Sequence, residues 1–147
     1  MSLVISAAMP EEAEALAAIL RGWILETDWM PKLHSPAEDR GFLTHLIASG
    51  PVLVARGPAP LGFLARQGGE ISALYLAPSA RGRGIGKALL DRVKAQEPEI
   101  ILWTFQANLR ARKFYLREDL VEIEQSDGSG NDEHLPDVRL IWRREMR

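Results

Sequence analysis

Apolar positions along the chain alternate between a strand-like period of two and a helix-like period of three to four. Leu3 to Ala7 is short, apolar and β-branched, which predicts a first strand. Pro10 stands where a first helical residue would, and Glu11, Glu12 and Glu14 suit the positive end of a helix. Ala13, Leu16, Ala17 and Leu20 recur at helical spacing, so the pattern predicts a helix over 10–25. Residues 27–34 break that period and read as a loop. Ser35, Pro36 and Glu38 make a capping box with proline just inside it, opening a second helix that runs to Ser49 with Phe42, Leu46 and Ile47 on one side.

From Gly50 the period shortens. Residues 52–55, 61–65 and 71–76 predict three strands, and Gly57 to Pro60 and the pair Gly68 and Gly69 are closely spaced turn signals, so these strands form an antiparallel meander. A glycine-rich turn then opens a helix over 84–95 whose buried face is Ile85, Ala88, Leu89 and Val93. Ile100 to Phe105 is apolar enough for a strand buried on both faces. A helix over 108–118 and strands over 121–125 and 138–142 follow, with a polar loop at Ser126 to Asn131 between the two strands. The expectation is a mixed α/β (α+β) fold in a single domain over residues 1–147. A mostly antiparallel central sheet of about seven strands is flanked by about four helices.

Composition narrows the function classes. Hydrophobic residues make up 46% and charged residues 26%, the balance of a globular chain with a packed core. Eighteen Lys and Arg against 20 Asp and Glu give a net charge of −2, so no basic excess points to nucleic acid. No apolar run approaches the roughly 20 residues of a membrane span. The first residues lack a signal peptide's charged start and apolar stretch, so the chain reads as cytoplasmic, without a membrane partner. With no cysteine, disulfides, thiolate metal sites and a Cys nucleophile are all excluded.

The informative segment is Ala80 to Lys87. It follows a strand and opens a helix, which presents free backbone N–H groups and a positive dipole end to an anion. Gly82, Gly84 and Gly86 allow close approach, and Arg81, Arg83 and Lys87 add positive charge, so a phosphate-bearing ligand is the natural guest. The nucleotide-hydrolase P-loop would need glycine where Arg81 stands and Ser or Thr where Ala88 stands. The dinucleotide fingerprint would need its third glycine at Lys87.

Arg81, Gly84 and Gly86 have the spacing (Gln or Arg)-x-x-Gly-x-(Gly or Ala) after a fourth strand. Asn108, Ala111, Phe114 and Tyr115 give Asn-x-x-Ala-x-x-Phe-Tyr after a fifth. On these two motifs, and on the element order from Leu3 to Trp142, the chain resembles the GNAT superfamily of acetyl-CoA-dependent N-acyltransferases. One departure is that Asp119 and Leu120 occupy the places of the family's usual Gly-Phe helix exit; Asp tolerates the left-handed conformation better than most residues.

The resemblance implies acetyl-CoA as cosubstrate, no metal, and a small-molecule or peptide amine as acceptor. The coenzyme's pyrophosphate would rest on the amides of Arg81, Gly82, Arg83, Gly84, Ile85, Gly86 and Lys87. Pantetheine would pair with the backbone of Leu74 and Leu76 and with Asn108, beside Ala111. The amine would attack the thioester directly, the Leu76 N–H would stabilise the oxyanion, and Tyr115, with an ordinary pKa of about 10, would protonate the leaving thiolate. At i, i+3 and i+7, Asn108, Ala111 and Tyr115 share one face. An aromatic core role beside Phe114 is the alternative for Tyr115.

For the amine's proton, Glu70 at the start of the fourth strand is the best-placed carboxylate, although an exposed strand-edge Glu is its plainer reading. His34 and His45 are alternatives, and His45 within the second helix reads by default as a solvated or packed imidazole. Trp23, Trp29, Met30 and His34 surround the loop that the family uses for its acceptor, and they line a pocket or cap the core. Asp127, Asp132 and Glu133 lie in a polar loop that would attract a cation or simply be solvated. A homodimer through the Trp-bearing C-terminal strand is a further implication of the family. A non-catalytic acyl-CoA sensor of the same fold is the alternative function.

Overall fold

The computed structural model describes residues 3–144. Its strands are β1 (Val4–Ala7), β2 (Val52–Arg56), β3 (Pro60–Gln67), β4 (Glu70–Leu76), β5 (Glu99–Phe105), β6 (Val121–Ser126) and β7 (Asp137–Arg143). They form one sheet in the order β1-β2-β3-β4-β5-β7-β6, antiparallel throughout except between β4 and β5. The helices are α1 (Ala13–Glu26), α2 (Pro36–Ser49), α3 (Ile85–Gln96) and α4 (Leu109–Arg117). The expected mixed, mostly antiparallel architecture is the one observed.

Alternation along the strands splits the apolar side chains into two cores. On one face Val52, Val54, Phe63, Ala65 and Ala73 pack against α1 and Leu43 of α2. On the other, Leu64, Ile71, Ile100, Leu102, Val138, Leu140 and Trp142 pack against Ile85, Leu89, Leu90 and Val93 of α3 and Tyr115 of α4. The capping box forms as expected: the Glu38 N–H donates to Ser35 Oγ at 3.1 Å, and the Ser35 N–H donates to Glu38 Oε1 at 2.8 Å.

Three details differ from the sequence pattern. The core side chain of α2 is Leu43, while Phe42 is 43% exposed, because α1 meets the stripe through Asp39 and Leu43, one residue round the helix. In α3, Gly86 and Leu90 are buried and Ala88 only partly so. Strand β5 is not buried on both faces: Ile100 and Leu102 are covered but Trp103 is 42% exposed. Helix α1 packs chiefly over β3 and β4, which leaves the second face of β5 open.

The first helix is also subdivided. Residues Pro10–Glu12 form one 3-10 turn before α1. There the Glu12 carboxylate accepts from the Met9 N–H at 2.8 Å and from both ends of the Arg56 guanidinium. Arg56 in turn donates to Ser6 Oγ at 2.7 Å and to the Ala7 carbonyl at 2.9 Å, tying β1, β2 and the start of α1 together. Arg56 holds the Glu12 carboxyl below the usual carboxylate range. A carboxyl whose pKa is lower folded than unfolded stabilises the fold above its unfolded value, about 4.3, and loses that contribution as pH falls through the folded value. Glu12→Gln is therefore expected to cost about 1 kcal/mol at neutral pH. In urea titrations the gap from wild type should close below about pH 4. A gap of constant size into acid would remove the ionised pair from the account.

Candidate active site

The glycine turn begins where β4 ends. A 3-10 turn at Pro78–Ala80 leads to Arg81, then Gly82 and Gly84 take left-handed φ values of 74° and 78°, and Gly84 caps α3. Those angles suit glycine, because a Cβ makes the left-handed region unfavourable. Among the described residues, no group accepts from the amides of Gly82 to Lys87, and the space above Gly82 and Gly84 is open. Six unpaired N–H groups at a helix N-terminus fit a pyrophosphate.

The basic side chains of this turn are engaged elsewhere. The Arg81 amide donates to the Pro78 carbonyl at 3.3 Å, and its guanidinium lies 2.5 Å from Glu26. Arg83 donates to the Ser79 carbonyl at 3.3 Å. Lys87 sits between Glu118 at 3.2 Å and Asp91 at 3.3 Å, and these two carboxylates raise its pKa, Glu118 most.

Beside the turn lies a wedge-shaped cleft. Strands β4 and β5 pair at one position, Glu70 with Ile101, where the Ile101 N–H donates to the Gly69 carbonyl at 2.9 Å. A Cβ on Gly69 would overlap the Glu99 carbonyl oxygen, so glycine is what lets the two strands meet there. Beyond that point they part.

The register then decides what faces the opening. The Ala77 N–H donates to Leu61 O at 2.8 Å, and Gly62 opposes Leu76 and Leu64 opposes Leu74. In an antiparallel ladder, hydrogen-bonded and non-bonded pairs alternate, so the peptide groups of Leu74 and Leu76 point away from β3 and into the cleft.

Asn108, Ala111 and Tyr115 line the same cleft with Ser72, Tyr75, Thr104, Phe105 and Trp23. Asn108 caps α4, accepting from the Ala111 N–H at 3.1 Å, which leaves its NH₂ group without a partner among the described residues. Phe114 packs where a Cβ on Gly86 would touch it at 3.4 Å, locking α4 to the start of α3. Asp119 adopts φ 72°, so the helix exit reaches the left-handed turn without glycine, and Leu120 behind it is buried. Burial pushes the Tyr115 phenol well above its ordinary value, with Tyr75 adding to the effect. The Tyr75 phenol is pushed up to about 12, by burial first and then by the Glu133 carboxylate.

On the open side of the cleft, aromatic rings form a wall. Trp23 lies 5.3 Å from Tyr75 and 5.8 Å from Trp29, which in turn is 5.7 Å from Phe105. Met30 packs into the core beneath. His34 and His45 are exposed, His34 standing 3.9 Å from Glu38, and Glu70 is exposed at the entry of β4. Asp127 is held below the usual carboxylate range by its own turn, through the Ser129 amide. Among the described residues, no cluster of three or more acidic or histidine side chains could hold a metal ion, and no helix is long and apolar enough to cross a membrane.

Sequence reasoning missed Tyr75, Ser72 and Glu26. The pairing skips Ser72, since Ala65 opposes Ala73 while Arg66 opposes Ile71. That bulge separates Ile71 from Ala73 and Tyr75 across the sheet, and strict alternation gives no sign of it.

A wedge between two diverging strands, an amide-lined turn at the end of β4 and a buried phenol on the cleft wall thus lie together. The sequence model of the Acetyltransferase (GNAT) family matches residues 14–119, and the chain belongs to this family of acetyl-CoA-dependent acetyltransferases. Over 135 residues it is 27% identical to the peptidyl-lysine N-acetyltransferase YjaB of Salmonella typhimurium, covering 90% of this chain and 92% of that one. A 69-residue stretch is 38% identical to an uncharacterised N-acetyltransferase of Archaeoglobus fulgidus, covering 44% of this chain and 46% of that relative, less than half its length. The solution structure of apo YjaB from Escherichia coli shares the fold with a TM-score of 0.81 at 24% identity, covering 97% of this chain and 98% of that one.

Gly69→Ala is expected to force β4 and β5 apart at their only pairing and to lower stability by about 3 kcal/mol in denaturant titrations. An alanine variant as stable as wild type would show that the wedge does not depend on this contact.

Proposed function

We propose that the protein moves an acetyl group from acetyl-CoA directly to a primary amine within a ternary complex, and that this amine is a peptide lysine side chain or a small aliphatic amine of similar shape. The observation that carries this reading is the unpaired edge of β4, lying between the amides of Gly82 to Lys87 and the Tyr115 phenol. Those amides would hold the pyrophosphate, and the peptide groups of Leu74 and Leu76 and the NH₂ of Asn108 would hold the pantetheine. The Arg81 amide, expected from the sequence to join them, already donates to the Pro78 carbonyl and falls outside this set.

Acetyl-CoA, when bound, supplies a thioester carbonyl open to attack and a thiolate leaving group. The Leu76 N–H would donate to the carbonyl oxygen as its negative charge grows. Tyr115, with its pKa raised by burial, stays protonated at neutral pH and so presents a donor to the departing sulfur, while the attacking amine sheds its proton to water, from which the phenol is restored. A chain with no cysteine takes no covalent acetyl on a thiol of its own. On the acceptor side, the ring faces of Trp23, Trp29 and Tyr75 suit an aliphatic chain ending in a cation, and the Glu133 carboxylate near Tyr75 adds negative potential. The peptidyl-lysine relative supports the same acceptor chemistry.

Calorimetric titration with acetyl-CoA and free coenzyme A, with ATP as control, should show saturable binding of both coenzymes and not of ATP. Thiol release should then depend on a lysine peptide and exceed that with a peptide offering only its α-amine. Failure of both coenzymes to bind overturns the reading; binding without amine-dependent thiol release would leave a sensor instead. Tyr115→Phe is expected to slow amine-dependent release by about ten-fold or more while coenzyme A affinity stays within about two-fold. Undiminished turnover would take Tyr115 out of the mechanism.

A further inference from the structure

Glu26 is the last residue of α1, where a carboxylate faces the negative end of the helix dipole, and no basic residue stands in the helix's last turn to offset it. The compensating cation arrives from the turn that follows β4. Arg81 Nη2 lies 2.5 Å from Glu26 Oε1, and the same nitrogen donates to the Leu76 carbonyl at 3.3 Å. Arg81, the first residue of the coenzyme motif, therefore turns its charge back onto the end of β4 rather than over the open turn.

The position of that contact matters because β4 has no strand partner there. On its β3 side the end of β4 is held by the Ala77 N–H bonded to Leu61 O at 2.8 Å. On its cleft side the only tie among the described residues is Arg81, anchored by Glu26. The carbonyl that Arg81 grips belongs to the residue whose N–H faces the same opening. We propose that Glu26 is a positioning residue for acetyl transfer: it holds Arg81 on the Leu76 carbonyl, fixes the unpaired end of β4, and ties the acceptor-side helix to the start of the coenzyme turn. The link to transfer rests on the function proposed above, but the mechanical tie does not.

The test is a double-mutant cycle of Glu26→Gln, Arg81→Gln and the combined variant. It is read by amide hydrogen exchange without ligand, by coenzyme A calorimetry, and by kcat and KM for lysine-peptide acetylation. Exchange of the Ala77 amide is expected to speed up by about ten-fold in either single variant and no further in the double, since both changes break one strut. For Glu26→Gln, kcat should fall by about ten-fold while the coenzyme A dissociation constant stays within about two-fold and the melting temperature holds.

Unchanged Ala77 exchange and kcat in Glu26→Gln would overturn the proposal, as would additive effects in the double variant. A parallel fall in melting temperature, coenzyme affinity and rate would reduce Glu26 to a general structural role, and overturns it too. Should the wild-type protein release no thiol in response to amine, the functional reading fails by itself. The exchange cycle then still upholds or overturns the strut.

Discussion

Because Gly69 has no side chain, the entries of β4 and β5 approach until the Ile101 N–H reaches the Gly69 carbonyl. The open edge of β4 depends on the two strands pairing there and, among the described residues, at no further position. A longer parallel pairing would consume the peptide groups of Leu74 and Leu76, and the absence of any pairing would split the sheet. One contact at the root of the wedge keeps seven strands in one sheet while leaving the Leu74 peptide groups and the Leu76 N–H without partners on the cleft side among the described residues; the Leu76 carbonyl accepts from Arg81. A ligand strand of matching register would take up those free groups through main-chain hydrogen bonds.

The electrostatics of the turn come from the backbone more than from its side chains. Arg81, Arg83 and Lys87 look like an anion-binding cluster in the sequence, yet each is occupied: by Glu26 and Leu76, by Ser79, and by Asp91 and Glu118. The six free amides and the dipole of α3 remain. A chain with a net charge of −2 can thus present a local anion site without a basic surface.

Much of this was legible in the residues. Each strand and helix sits within a few residues of where periodicity and turn chemistry put it, because Ser35, Gly68, Gly82 and Pro98 mark boundaries through local physics alone. The two motifs located the turn and the α4 wall, and the cleft does gather Asn108, Ala111 and Tyr115. What escaped was set by distant packing. Phe42 and Leu43 are equally apolar, and only the angle at which α1 meets α2 chooses between them. Trp103 is exposed because of where α1 stops, and Tyr75 enters the cleft because Ser72 bulges. Arg81 and Glu26 are far apart in sequence, so nothing local announces their pairing.

The sheet also separates the molecule into two independently packed halves. The residues that would meet the coenzyme stand mainly on α3, α4 and their side of β4, and the rings of the acceptor wall belong mainly to α1, its following loop and the opposite side of the same strand. Substitutions that reshape one layer leave the other's core untouched. A descendant of this chain could reshape the wall formed by α1 and the loop after it by drift at Trp23 and Trp29, so long as Glu26 still reaches across to Arg81 at the turn after β4.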